Sequence, residues 1–123
     1  MNIEITDSKR ITEIQENFNR LFPFLKIEFF SKSHKSGQGT SATSIRDSRK
    51  TLGDIRTIHN SGKLKIVSAM TVEELEDNFK EIFGLNVQVF RKSGKIWLET
   101  TVTDKWTLAE QNRQGEELSK SIN

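Results

Sequence analysis

ITEIQENFNRLF, residues 11–22, and VEELEDNFKEIF, residues 72–83, align without a gap. The apolar positions of the first are Ile11, Ile14, Phe18, Leu21 and Phe22. Those of the second are Val72, Leu75, Phe79, Ile82 and Phe83. Steps of three and four residues gather each set on one face of a helix and leave the charged residues on the other. Each segment is therefore predicted to be an amphipathic helix facing a core. Thr71 and Glu74 have the spacing of a capping box for the second helix, and Asp7 or Ser8 is expected to cap the first.

Outward from the helices the likeness continues. A breaker follows each, Pro23 or Gly84, and then a strand pattern: LKIEFFSK from Leu25 matches LNVQVFRK from Leu85 once one residue is skipped. Leu25, Ile27 and Phe29 alternate with Lys26, Glu28 and Phe30, as Leu85, Val87 and Val89 do with Asn86, Gln88 and Phe90, which predicts strands with one apolar face. Short strands are also expected before the helices, where Ile3 and Ile5 match Leu64 and Ile66. In the second half Ser93-Gly94 reads as a hairpin turn into KIWLETTV, residues 95–102, and Thr107 with Glu110 opens a last helix. Ser36-Gly37, Asp47 and the Thr51–Asp54 pair hold similar places in the first half. Gly115 lowers the expectation that the last helix is continuous.

The expected unit is strand, helix, strand, strand, helix, written twice at approximately 1–60 and 61–120 within a single domain, 1–123. Two such units predict an α+β two-layer sandwich, with a mostly antiparallel sheet of about six strands covered by helices. The doubled strand-helix-strand order is the wiring of a ferredoxin-like core.

The chain has no cysteine, which removes disulfides, thiolate metal sites and cysteine nucleophiles and suits a reducing compartment. Its amino-terminal stretch is charged and amphipathic rather than a continuous apolar run, so the expected location is cytoplasmic, without membrane association. Charge is unevenly distributed. Between Lys32 and Lys65 eight basic residues face two acidic ones, a local +6 in a chain whose total is +2, so the remainder carries −4. A basic middle flanked by acidic ends points to an anionic partner.

The two halves differ most in the third strand. Against KIWLETTV, whose Ile96, Leu98 and Val102 are available to a core, the first half sets QGTSATSI, residues 38–45, with only Ala42 and Ile45. Such a strand buries little. The surrounding stretch from Ser31 to Lys50 combines Gly37 and Gly39 with Ser36, Thr40 and other hydroxyls, and with Lys32, His34, Lys35, Arg46, Arg49 and Lys50. Backbone amides near glycine, hydroxyl donors and cationic side chains are the ingredients of an anion or nucleic-acid site. The stretch has neither a Walker pattern nor a complete dinucleotide fingerprint, and a solvated low-complexity loop is the plainer reading.

Strand parity places Phe30, Phe90 and Trp97 on one side of the sheet, where they could stack bases, meet a protein partner, or lie buried under Trp106 and Leu108. His34 and His59 have no second ligand at a metal-binding interval, so no metal or cofactor is expected. The carboxylates from Glu73 to Glu81 read as a solvated helix face near a favourable N-terminus. Three functions are weighed. First comes a non-catalytic binding module whose basic loop contacts nucleic acid or a phosphorylated ligand. The alternative is a protein-interaction or homodimeric assembly module using a sheet edge or the aromatic face. An enzyme ranks last, because no nucleophile, base and orienter fall at interpretable positions.

Overall fold

The structure, a computed structural model, describes residues 1–31 and 43–120. Its elements are β1 (Asn2–Ile5), α1 (Ile11–Leu21), β2 (Leu25–Phe30), β3 (Gly62–Lys65), α2 (Val72–Phe83), β4 (Asn86–Ser93), β5 (Ile96–Glu99) and α3 (Leu108–Lys120). The fold is α+β, with three helices and two antiparallel sheets, consistent with two layers. One sheet pairs β1 with β3 and the other runs β2-β4-β5. The single sheet of about six strands is thereby corrected among the described residues, and a ferredoxin-like core is not established by these pairings.

Both helices named in the sequence form where their periodicity requires. Their apolar stripes are inside: Ile11, Ile14 and Phe18 of α1, and Val72, Leu75, Phe79 and Phe83 of α2, are buried. Ile82 is the exception, at 48% exposed. The Phe79 ring meets Phe29 edge-on at 6.1 Å, which joins α2 to β2. One apolar cluster takes in these residues together with Ile3 and Leu64 of the small sheet, Val89 of the large one, and Leu52 and Leu108.

The helix caps differ from one another. Thr71 Oγ1 accepts from the Glu74 N–H at 3.1 Å, and Glu74 Oε1 accepts from the Thr71 N–H at 3.4 Å, the reciprocal capping box. The expectation for α1 is corrected. Its N-cap is Arg10, whose N–H donates to Glu13 Oε1 at 3.1 Å, while Asp7 is drawn away to Arg56 and His59. Gly84, at φ 65°, closes α2 in the left-handed conformation that glycine adopts without a steric penalty.

Backbone contacts recur in matched pairs. Leu52 N–H donates to the Lys9 carbonyl at 2.8 Å, as Leu108 N–H does to Met70 at 2.8 Å. Ile11 N–H reaches Lys50, as Val72 N–H reaches Trp106, and the isolated bridge Arg10↔Thr51 has its counterpart in Thr71↔Thr107. In the small sheet Ile3 lies opposite Leu64, and in the large one Glu28 lies opposite Gln88. Each of these residues faces the position that the sequence alignment pairs with it. Each of these two strand pairs is thus centred on positions that the sequence alignment matches.

Three readings of the outer strands change. Ser44 bridges Phe30 as Glu99 pairs with Phe90, two residues away from the sequence alignment, and residues 38–42 of the expected third strand lie outside the described residues. Ile96, Leu98 and Val102 do not enter the core, being 58%, 38% and 97% exposed. α3 is continuous through Gly115. A Cβ at Gly115 would lie 2.9 Å from Phe24 Cβ, so glycine here permits close packing rather than breaking the helix. No helix among the described residues is long and apolar enough to cross a membrane.

Candidate binding groove

The outer edge of β2 carries carbonyls at Leu25, Ile27 and Phe29 that no described neighbouring strand of the sheet covers continuously. The polar flank of α1 attends to two of them. Asn19 Nδ2 donates to the Leu25 carbonyl at 2.8 Å, and Gln15 Nε2 donates to Ile27 at 3.0 Å and reaches Glu28 Oε2 at 3.3 Å. The third, Phe29, accepts from Ile45 N–H at 2.7 Å. Buried backbone acceptors are costly when unpaired, so these side chains finish the edge.

Between α1, β2 and residues 45–48 lies a cavity of about 500 Å³, lined among others by Gln15, Glu16, Lys26, Arg46, Ser48 and Trp97. Trp97 belongs to β5 but reaches back across the sheet. Lys26 Nζ sits 5.0 Å from the Trp97 ring and 5.6 Å from the Phe90 ring, a cation held over two aromatic faces. Lys26 is also 3.1 Å from Glu28. Arg49 and Asp47 pair at 3.1 Å, and this side-chain bond, with a second from the Arg49 backbone, lowers the Asp47 carboxyl below its ordinary value. Arg46 is exposed, and no ion pair joins it to another described residue. Glu16 contributes the opposing charge.

Lys32, His34, Lys35, Ser36, Gly37, Gly39 and Thr40 lie outside the described residues. The segment that contains them starts and ends beside the groove, because Ser31 N–H donates to the Thr43 carbonyl at 3.2 Å. Of the remaining expected site residues, Arg46 and Trp97 meet in the groove, whereas Arg49 and Lys50 lie just beyond its lining. The register puts Phe30, Phe90 and Trp97 on one sheet face, with Lys26 opposite Phe90 and Lys92 opposite Trp97. Phe30 is 8% exposed and the other two are half-buried. Trp106 and Leu108 do not cover them: Trp106 lies 5.6 Å from the Arg91 guanidinium, and Arg91 has the opposite strand parity.

Gln15 and Asn19 are not among the expected site residues. Their signal is an i, i+4 amide pair at the polar boundary of α1, where the second half has Glu76 and Lys80. Arg56 belongs by sequence to the basic middle. In the structure that guanidinium is fully buried, donating to Asp7 Oδ1 at 2.8 Å and to the Phe83 carbonyl at the end of α2 at 3.0 Å. Asp7 further pairs with His59 Nδ1 at 2.9 Å; these bonds, His59 first and Arg56 second, lower its carboxyl pKa. This cluster ties the β1–α1 loop to the end of α2. No group of three or more His, Asp or Glu among the described residues is placed to hold a metal ion. No protein-family model, no curated protein and no solved structure matches the chain.

Proposed function

We propose that this chain is a non-catalytic binding module whose groove beside β2 receives an anionic ligand bearing a planar ring, of which a nucleotide unit is the simplest example. The observation that carries the reading is the meeting of Trp97 with Arg46 and Ser48 in one cavity of about 500 Å³. An indole offers a stacking surface to any base, and a guanidinium with a hydroxyl offers charge and hydrogen bonds to phosphate. With Lys26 paired to Glu28 and Arg49 to Asp47, the charges left at the groove are Arg46 and Glu16, and in this reading Arg46 acts on the ligand. In this reading the basic Ser/Gly-rich segment 32–42, which lies outside the described residues, supplies further donors.

Quenching of Trp97 fluorescence in a Trp106→Phe background tests this, with a nucleoside monophosphate and a short single-stranded oligonucleotide as separate ligands at low salt. Trp97→Ala, read by titration calorimetry because it removes the fluorophore, is expected to weaken binding by about 1–3 kcal/mol per stacked base. Arg46→Glu is expected to weaken it further and to flatten the salt dependence. A salt-independent signal, or one unchanged by Arg46→Glu, contradicts the reading.

We also infer that residues of approximately 1–60 and 61–120 are two copies of one unit. The paired hydrogen bonds at the helix starts and the self-matching strand registers support it. A second functional reading, assembly through a sheet edge, is favoured by β5, which ends its sheet with Ile96 and Leu98 exposed.

A further inference from the structure

β5 presents an edge that fits a second copy of this chain, an inference that rests on the assembly reading just given. Residues along an antiparallel strand turn their backbone groups alternately towards one neighbour and the other. Thr100 N–H donates to the Val89 carbonyl at 3.3 Å, so with Arg91 opposite Leu98 the backbone groups of Ile96 and Leu98 turn to β4. Those of Lys95 and Trp97 turn outward. β5 is last in the order β2-β4-β5, and no described strand pairs with its outer side. The neighbouring side chains Ile96 and Leu98 are 58% and 38% exposed, an apolar edge without proline or bulge to discourage pairing.

The stretch IWL, residues 96–98, is complementary to itself when run antiparallel. With Trp97 opposite Trp97 of a second copy, Ile96 faces Leu98, a pairing that occurs twice about the twofold axis. Apolar cross-strand pairs are favourable. Backbone parity agrees, since Trp97 on the axis is an outward-turned position and exchanges both hydrogen bonds with its own copy. A one-residue shift sets outward groups against inward ones, and a two-residue shift leaves Ile96 opposite Thr100 or Leu98 opposite Gly94.

We propose that the chain forms an isologous dimer by antiparallel pairing of β5 with β5 of a second copy, joining two three-stranded sheets into one of six strands. The axis stands perpendicular to the sheet, so the Phe90 and Trp97 faces of both copies lie on the same side, and the two grooves open together.

Sedimentation equilibrium across a concentration series, with hydrogen exchange at the Trp97 amide, tests the dimer. Ile96→Lys with Leu98→Lys, and separately Ile96→Glu with Leu98→Glu, alter exposed side chains, and circular dichroism checks that each double variant folds. Self-association of the natural chain is expected, each double variant is expected to be monomeric, and an equimolar mixture of the two is expected to pair, because Lys of one faces Glu of the other. A dimer indifferent to both double substitutions overturns the proposal. So does a natural chain that stays monomeric throughout, and the Trp97 amide then separates two cases. Fast exchange leaves the edge open and removes only the second copy as its occupant. Strong protection in the monomer means the edge is covered within the chain, and the assembly reading falls with the dimer.

Discussion

Gly115 shows how a residue that weakens a helix can be required by the packing around it. Alanine there would favour α3 by about 1 kcal/mol of helix propensity. Its Cβ would, however, meet Phe24 Cβ at 2.9 Å and the Phe24 carbonyl at 3.1 Å, neither of them the yielding end of a side chain. Gly115→Ala is therefore expected to destabilise the chain by about 1–3 kcal/mol net, read from urea unfolding midpoints. Glu76 is a second residue whose setting dominates its chemistry. Burial, aided by the charges of Asp104, Asp77 and Glu73, pushes its carboxyl from 4.5 up to about 7, although the Val89 N–H donates to it at 2.9 Å. The folded state therefore holds this proton more tightly than the unfolded one. The resulting stabilisation is complete below about pH 4.5 and disappears as pH rises through 7. Glu76→Gln keeps an acceptor for Val89 and is expected to flatten that part of the stability profile, whose span is at most about 3 kcal/mol. Denaturation series between these pH values check it, and an unchanged slope would place the proton elsewhere.

At the scale of elements, what was legible followed from strong periodicity. α1 and α2 carry apolar stripes and β2 and β4 alternate, so type, approximate bounds and most inward faces could be read, with Ile82 exposed and Phe30 and Gln88 buried as the exceptions. β5 could be located but its burial could not, because the alternation of Ile96, Trp97 and Leu98 looks the same on an open edge as inside a sheet. The first half's third strand, rich in hydroxyls, lacks the pattern that fixes register, and its alignment was displaced by two residues from the observed bridge. The groove was legible only in part. Arg46 and Trp97 were named on separate grounds, but nothing local to either stretch shows that two strands and a helix edge bring them together. The Thr51–Ile55 turn and the start of α3 correspond closely, each placing one fully buried leucine, Leu52 or Leu108, into the common core. Leu52→Ala and Leu108→Ala are each expected to cost about 2–5 kcal/mol in equilibrium unfolding. A loss below 1 kcal/mol at either would mean that its turn does not anchor the core as described.

On the scale of the whole molecule, β1 pairs with β3, β2 pairs with β4, and one apolar cluster joins both sheets. The second half completes its outer strand with the aliphatic β5. Beside β2, the first half leaves room for a groove finished by amides, a hydroxyl and an arginine. The most direct test is amide chemical-shift mapping of the labelled chain during titration with a nucleoside monophosphate at low ionic strength. Perturbations concentrated at Gln15, Lys26, Arg46, Ser48 and the Trp97 indole, saturating and reversed by added salt, are the predicted result. Shifts that bypass these residues, or none at all for both the monophosphate and a short oligonucleotide, would contradict the account.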